Sequence, residues 1–157
     1  MSKFWSSVVS GLKPYTPGEQ PKVPGLIKLN TNEHCLQPSR HAMAVLNAMT
    51  PEALRRYPDP ECTALRSAIA RCEGLSVAQV FVGNGSDEVL AHIFQGLLSS
   101  SQSLVTLDIT YSFYPVWAAL YGLQLKTESL HDDFSIDVNR LSAQKDSILI
   151  ANPNAPT

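Results

Sequence analysis

The chain has 157 residues, of which 44% are hydrophobic, 17% charged and 8% aromatic, and its formal net charge is −2. This composition is typical of a globular protein with a core, and it argues against a strongly basic nucleic-acid-binding surface. No apolar run approaches the about 20 residues of a membrane-spanning helix, and the N-terminus is too polar for a secretory signal. Three cysteines without CxxC spacing predict a reduced, cytoplasmic protein. The scattered histidines predict no metal site.

The N-terminal segment predicts a short helix followed by an extended arm. Phe4, Val8 and Leu12 lie four residues apart, which is the spacing of an amphipathic helix. Four closely spaced prolines then exclude a helix interior, namely Pro14, Pro17, Pro21 and Pro24. The apolar helix needs a surface to bury against. Two alternatives remain open, a neighbouring subunit and the chain's own domain.

Two helices are predicted after the arm. Ser39 is a predicted N-cap of the first, and Asp59 followed by Pro60 predicts the start of the second, which Gly74 ends. The positions expected to be apolar or buried on these helices are Ala42, Val45, Leu46, Met49, Leu65, Ile69 and Cys72.

From residue 80 onward, short apolar runs alternate with helical patterns. The predicted strands are 80–82, 104–107, 123–125 and 148–150, and the predicted helices are 87–98 and 114–121, with Gly122 closing the latter. This alternation predicts an α/β fold with a mostly parallel sheet. The chain stops in a loop directly after the last predicted strand. We therefore expect the sequence to be truncated within its fold.

The glycine-rich turn that follows Val82 is the strongest local signal for a binding site. It reads Gly83-Asn84-Gly85-Ser86-Asp87-Glu88 and connects a predicted strand to a predicted helix. One alternative is a dinucleotide site with Asp108 as ribose acceptor, although Glu88 replaces the third glycine of that fingerprint. A second is a phosphate monoester held by the amides of Ser86 and Asp87 and by the Ser86 hydroxyl. A third is a tight turn with a simple N-cap.

Two further segments present aromatic side chains. Tyr57 lies in the rigid turn Tyr57-Pro58-Asp59-Pro60, and Tyr111 lies in the aromatic segment that follows the predicted strand 104–107. Aromatic rings at the end of a strand are placed where a planar ligand can stack. Core packing is the alternative for both segments.

Taken in order, several motifs resemble the N-terminal half of the histidinol-phosphate aminotransferase family. The motifs are LKPYTPG, KLNTNEHCLQPS, RRYPDP, QVFVGNGSDEVL, DITYSFYPVWA, DDFSIDV and NPNAPT. The resemblance implies a fold-type-I enzyme dependent on pyridoxal 5'-phosphate, with three α/β/α layers and a mostly parallel sheet. It also implies an N-terminal helix and arm over residues 1–38 and the beginning of the large coenzyme-binding domain over residues 39–157.

The resemblance assigns roles to individual residues. Gly85, Ser86 and Asp87 are expected to hold the coenzyme phosphate, and Tyr111 is expected to stack on the pyridine ring. Tyr57 is expected to reach the coenzyme phosphate of the partner subunit in a homodimer with shared active sites. The remaining roles are substrate binding by Tyr15 and by the segment Asn30–Glu33, which contains Asn32, and a contact of Asn154 with the ring oxygen. Asn154 is expected there because Ala155 stands where related enzymes often carry the asparagine.

The implied reaction transfers an amino group between glutamate and imidazole acetol phosphate, giving 2-oxoglutarate and histidinol phosphate. The family's Schiff-base lysine is expected beyond Thr157, so we expect no catalytic residue in this chain and no transamination by it alone. Three alternatives remain. They are another fold-type-I enzyme (an aromatic aminotransferase or a threonine-phosphate-type decarboxylase), a non-catalytic phosphate-binding or dimerising module, and, more distantly, a nicotinamide-dependent oxidoreductase.

Overall fold

The computed structural model describes residues 3–13, 18–30, 33–98 and 102–157. The chain divides into two compact units, one formed by residues 1–16 and 83–157 and the other by residues 17–82. The predicted boundary at residue 38 remains a prediction, because this division follows internal contacts within the chain.

Helices and strands alternate through the second half of the chain, as the apolar pattern predicts. The helices are α1 (Ser7–Gly11), α2 (Arg40–Asn47), α3 (Pro51–Leu54), α4 (Thr63–Glu73), α5 (Ser86–Gly96), α6 (Tyr114–Tyr121) and α7 (Val138–Ser142), with a 3₁₀ turn at Val77–Gln79. The strands are β1 (Ser103–Leu107), β2 (Gln124–Glu128) and β3 (Ser147–Ile148).

The three strands form a parallel sheet in the order β2-β1-β3. Leu104 of β1 pairs with Leu125 of β2 and with Ser147 of β3. The predicted parallel sheet is confirmed. The order places β1 in the centre, which explains why four of its five residues are buried.

Side chains of β1 alternate between two apolar clusters on opposite faces of the sheet. Leu104 packs with Phe94 and Ala118 of helices α5 and α6, whereas Val105 and Leu107 pack with Leu141 of α7. Successive residues of a strand point to opposite faces, so this alternation places helices on both sides of the sheet. The result is the predicted α/β/α layering.

The helix ends follow the predicted capping chemistry at several positions. The Ser39 hydroxyl accepts a hydrogen bond from the Ala42 N–H at 3.2 Å. Gly74 and Gly122 end α4 and α6 in the left-handed conformation, with φ of 66° and 69°. The predicted limits of α6 are confirmed residue by residue.

The predicted start of α4 at Pro60 is wrong, because the helix begins at Thr63 after Cys62 adopts a left-handed conformation. The Asp59 carboxylate still caps this helix, since it accepts from the N–H groups of Thr63 at 2.7 Å and Glu61 at 3.0 Å. These donors hold the pKa of Asp59 below its usual value.

Two predicted burials on α4 are also wrong. Leu65 is 53% exposed and Cys72 is exposed, whereas Ala70 is the buried position of this helix. Helix α4 packs on the short 3₁₀ turn Val77–Gln79 within its unit. So small a partner covers only a narrow stripe of the helix.

The predicted strand at residues 80–82 forms no ladder with any strand of the described residues. Val80 is extended, with φ −112° and ψ 121°, and Phe81 is 62% exposed. Extended conformation follows from local sequence, but a strand also requires a hydrogen-bonded neighbour. The two later strands shift instead of disappearing, since β2 begins at Gln124 and β3 ends at Ile148.

Helix α1 confirms a short N-terminal helix, although it is confined to five residues and Phe4 and Leu12 flank it. Pro14 and Pro17 of the predicted arm lie outside the described residues, and residues 18–30 contain neither helix nor strand. The arm itself remains a prediction. Helices α3 and α7 and the 3₁₀ turn were not predicted, because elements of five residues or fewer carry little periodicity.

Candidate functional site

The glycine turn enters α5 through a backbone conformation that only glycine adopts readily. Gly85 is the N-cap of α5, with φ 84° and ψ 171°. A Cβ atom at this position would meet nothing within 4 Å, so the space beside the backbone is open. Glycine is therefore required here for conformation, and its open side leaves room for a ligand to approach the backbone.

At Gly83 the constraint is close packing. A Cβ atom there would lie 3.0 Å from both Oε2 of Glu88 and Cγ2 of Val89. The Glu88 carboxylate accepts a hydrogen bond from the N–H of Asn84. Glu88 thus closes the turn from the first turn of the helix, where a dinucleotide fingerprint has its third glycine.

Asp108, the ribose acceptor of the dinucleotide alternative, makes hydrogen bonds to the end of β2 and the residues that follow it. Its Oδ1 accepts from the N–H of Leu130 at 3.1 Å, and its own N–H donates to the carbonyl oxygen of Glu128 at 2.9 Å. The Leu130 N–H holds the pKa of Asp108 below its usual value. Together with the position of Glu88, this contact disfavours a dinucleotide at the glycine turn.

The start of α5 has the properties of a phosphate site. The first N–H groups of a helix lack partners within that helix, and they carry the positive end of its dipole. Ser86 and Asp87 are the first two residues of α5, and Ser86 adds a hydroxyl donor. Exposed amides of this kind, next to an open glycine, suit an anionic oxygen group.

Two carboxylates in the same turn would repel a phosphate dianion unless they had partners of their own, and both have them. Glu88 accepts from the Asn84 N–H, and Oδ1 of Asp87 accepts from the Tyr111 hydroxyl at 3.1 Å. Both carboxylates are hydrogen-bonded to donors of the protein, which reduces their repulsion of a phosphate. The residues present therefore fit a bound phosphate.

Tyr111 lies in the loop that follows β1, in contact with two other aromatic rings. Its ring makes edge-to-face contacts with Tyr114 at 5.4 Å and with Phe113 at 6.2 Å between centroids. Tyr114 is 4% exposed, and this burial raises the pKa of its hydroxyl. A buried neutral ring therefore supports the half-buried Tyr111 from one side.

Asn154 joins the loop after β3 to the loop after β1. Its Oδ1 accepts from the Thr110 hydroxyl at 2.7 Å, while its Nδ2 donates to the Ile109 carbonyl at 2.8 Å and to Oγ1 of Thr157 at 2.7 Å. All three bonds are made at the carboxyl edge of the sheet, where ligands of α/β proteins bind. The contact of Asn154 with a ring oxygen stays a prediction, because its amide group already has these protein partners.

Five predicted site positions therefore lie in one unit, since Gly85 and Ser86 stand beside Asp87 at the start of α5. Asp87 contacts Tyr111 directly, and Asn154 contacts the residue that precedes Tyr111. Thr110 and the backbone N–H of Asn84 also belong to this network, although neither was a predicted site position. The signal that indicates Thr110 is its position directly beyond a central parallel strand.

The other predicted positions lie in the unit formed by residues 17–82 or outside the described residues. Tyr57 is 102% exposed in its proline-flanked turn, so its ring is available to another molecule. Tyr15 and Asn32, the predicted substrate-binding residues, lie outside the described residues, and their roles stay predictions.

Within the described ranges, no group of three or more His, Cys, Asp or Glu side chains is arranged to hold a metal ion. Across the same residues, no helix has the length and apolar character needed to span a bilayer.

The sequence model of the family aminotransferase class I and II matches residues 24–157. Among curated proteins, the chain is 52% identical to histidinol-phosphate aminotransferase 2 of Dechloromonas aromatica (strain RCB), over 100% of this chain and 45% of that protein. It is 49% identical to histidinol-phosphate aminotransferase of Acinetobacter baumannii (strain SDF), over 99% of this chain and 44% of that protein. The chain thus spans less than half the length of these relatives.

A solved structure shows the same fold. The crystal structure of histidinol-phosphate aminotransferase from Sinorhizobium meliloti in complex with pyridoxal-5'-phosphate superimposes with a TM-score of 0.64 at 25% sequence identity. The match covers 76% of this chain and 34% of that protein.

Proposed function

The chain belongs to the aminotransferase class I and II family, and we propose that it supplies the coenzyme-phosphate site of a histidinol-phosphate aminotransferase. The proposal is supported by curated relatives of that name at about half identity over essentially the whole chain. The relatives are more than twice as long as this chain, so the activity proposed is that of the full-length protein.

One observation carries the proposal, namely the hydrogen bond of 3.1 Å between the Tyr111 hydroxyl and Asp87 in the first turn of α5. It places an aromatic ring beside a helix start that suits an anionic group. Pyridoxal phosphate combines an aromatic ring and a phosphate in one small molecule. A phosphate-binding helix start with a neighbouring stacking ring fits both parts.

The residues of this chain bind and orient, while pyridoxal phosphate, when bound, supplies an electron sink for amino-group transfer. Gly85 leaves room for the phosphate, and the amides of Ser86 and Asp87 with the Ser86 hydroxyl donate hydrogen bonds to it. Tyr111 stacks on the pyridine ring, and Asn154 holds the loop beside it. The lysine that the family uses for proton transfer is expected in the remainder of the full-length protein.

The proposed substrates are glutamate and imidazole acetol phosphate, which become 2-oxoglutarate and histidinol phosphate. Tyr15 and Asn32 are proposed to contact the substrate from the N-terminal segment. The support for this substrate pair is the shared name of the relatives.

We also propose a cytoplasmic homodimer in which Tyr57 reaches the coenzyme phosphate bound by its partner. The support is the complete exposure of a tyrosine ring held in a rigid turn. The three cysteines are free thiols, which is consistent with a reducing compartment.

The proposed phosphate site is tested by Gly85→Ala in the full-length protein. Because Gly85 has a conformation that is essentially restricted to glycine, a Cβ atom distorts the turn and enters the open space beside it. We expect the protein to lose most of its pyridoxal phosphate on dialysis, measured as coenzyme released after denaturation.

Gly122→Ala is the matched control. Gly122 also has a positive φ and open space for a Cβ atom, but it ends α6. It is expected to lower stability by about 1 kcal/mol while retaining the coenzyme. Equal coenzyme contents in the two variants would contradict the proposed site, and a wild-type protein without affinity for pyridoxal phosphate would contradict the proposed function.

A further inference from the structure

The side chain of Asp87 makes a contact that its proposed role in phosphate binding does not require. That role uses the backbone N–H of Asp87, whereas its carboxylate accepts from the Tyr111 hydroxyl at 3.1 Å. The two residues are 24 positions apart, one in the first turn of α5 and the other in the loop after β1. The bond therefore connects the phosphate-binding helix start to the ring proposed to stack on the coenzyme.

Electrostatics explains why the direction of this carboxylate matters. The positive end of the α5 dipole attracts the Asp87 side chain and a phosphate to the same place. A carboxylate left facing the phosphate would repel it, and a repulsion between unscreened like charges extends over several ångströms. The Tyr111 hydroxyl donates a hydrogen bond to the carboxylate, so the Asp87 side chain is oriented toward this hydroxyl.

The same bond completes the restraint of Tyr111. At the backbone end, Thr110 donates to Asn154 at 2.7 Å, and along the ring Tyr114 makes an edge contact at 5.4 Å. At the far end, the hydroxyl is held by Asp87. A ring fixed at both ends loses little conformational freedom when a ligand stacks on it, which favours binding.

We propose that the Asp87 carboxylate is a positioning residue, which fixes the Tyr111 ring as a preformed stacking surface for the coenzyme. This inference rests on the proposed function for the identity of the stacked ligand. The contact itself belongs to the protein without any ligand, so the inference has a test that needs no coenzyme.

The first experiment is a double-mutant cycle on full-length protein stripped of coenzyme, with the Kd for pyridoxal phosphate measured by fluorescence titration. Asp87→Ala is expected to weaken binding about three- to tenfold, an effect of the size of one typical intramolecular hydrogen bond. Asp87→Asn keeps an acceptor oxygen and is expected to bind no more weakly than the wild type. Tyr111→Phe keeps the ring but leaves the Asp87 carboxylate without this donor, so it is expected to weaken binding at least as much as Asp87→Ala.

The double variant Asp87→Ala/Tyr111→Phe is expected to bind no more weakly than either single variant, because both remove the same bond. Additive losses, or tighter binding by Asp87→Ala in both backgrounds, would overturn the inference and assign the carboxylate a purely repulsive effect. Asp133→Ala is the control, since Asp133 also accepts from a hydroxyl, that of Ser135 at 2.6 Å. It is expected to leave the Kd unchanged.

The second experiment observes the ring directly, by fluorine NMR of the coenzyme-free protein labelled with fluorotyrosine. The Tyr111 resonance is identified by its absence in Tyr111→Phe. We expect it to shift in Asp87→Ala and to remain near its original position in Asp87→Asn. An unmoved resonance in Asp87→Ala would show that the carboxylate does not hold the ring. A wild-type protein that fails to bind pyridoxal phosphate contradicts the proposed function, and this measurement still decides whether Asp87 positions Tyr111.

Discussion

The two compact units of the chain differ in how their apolar residues are used. The unit with the sheet contains both apolar clusters, which lie on the two faces of β1. In the unit formed by residues 17–82, Ala70 and Val80 are the buried apolar residues among those described, and α2 leaves Val45 68% exposed and Leu46 57% exposed. Helices form in both units, but the apolar clusters that cover helix faces lie in the unit with the sheet.

This difference separates local from tertiary causes of structure. Helix α2 begins where the Ser39 hydroxyl caps it, although none of its residues is buried. Capping chemistry thus defines a helix end without a core. Helices this short are marginal in water, so their stability depends on contacts that cover the apolar face.

The largest effect expected from this comparison is a loss of stability on truncating the core. Phe94 is 1% exposed and packs with Leu104, Ala118 and Leu123, so Phe94→Ala is expected to cost about 3–5 kcal/mol. Val45→Ala in α2 is the matched change at an exposed position and is expected to cost about 0.5 kcal/mol or less. Urea unfolding of each variant measures both values. If Val45→Ala cost as much as Phe94→Ala, the contrast between the two units would be wrong.

A smaller effect is expected from two asparagines with unequal partners. Asn154 makes three hydrogen bonds, two to the loop after β1 and one to Thr157 in its own loop, whereas the Asn30 side chain makes one exposed bond, to the Glu19 carbonyl at 2.6 Å. Asn154→Ala is expected to lower stability by about 1–2 kcal/mol and to speed amide exchange in the loop that contains Tyr111. Asn30→Ala is expected to change neither property. Similar changes in both variants would show that the bonds of Asn154 do not hold the two loops together.

The smallest effect expected is a dependence of stability on acid in both units. Backbone N–H donors hold the pKa of Asp108 in one unit and of Asp59 in the other below their usual value of 3.8. A carboxyl group whose pKa is lower in the folded state than in the unfolded state stabilises the folded state. The contribution is complete at pH values above the unfolded-state pKa, and it is lost as the pH falls through the folded-state pKa. Stability is therefore expected to be flat near neutrality and to decline below about pH 4.

Asp108→Asn and Asp59→Asn test this dependence one unit at a time. Each amide keeps an acceptor oxygen but does not titrate in this range, so each variant is expected to show a shallower acid decline than the wild type. Unfolding by urea between pH 2.5 and 6 measures the slopes. Slopes that match the wild type would show that these two carboxylates do not contribute to the acid response.

Local rules predict much of the fold because they depend on neighbours in the chain. The limits of α6 follow from its apolar pattern and from Gly122, and the parallel sheet follows from alternating apolar runs and helical patterns. The turn at Gly85 is likewise recognisable, since a glycine before a helix start indicates close backbone approach. The strand expected at residues 80–82 failed because a strand needs a partner, which local sequence does not provide.

In the candidate site, too, some features follow from local sequence and others depend on tertiary contacts. The residue pattern identified Ser86, Asp87 and Tyr111 as candidates, and the resemblance of the motifs added Asn154 and implied a coenzyme. Only the tertiary structure decided that Asp87 contacts Tyr111, that Asn154 contacts Thr110 and that Asp108 supports the sheet edge. These pairs lie 22 to 44 residues apart. Two of them meet because β1, β2 and β3 are parallel and bring their carboxyl ends to one edge, whereas Asp87 reaches Tyr111 because α5 packs on the sheet through Phe94 and Leu104.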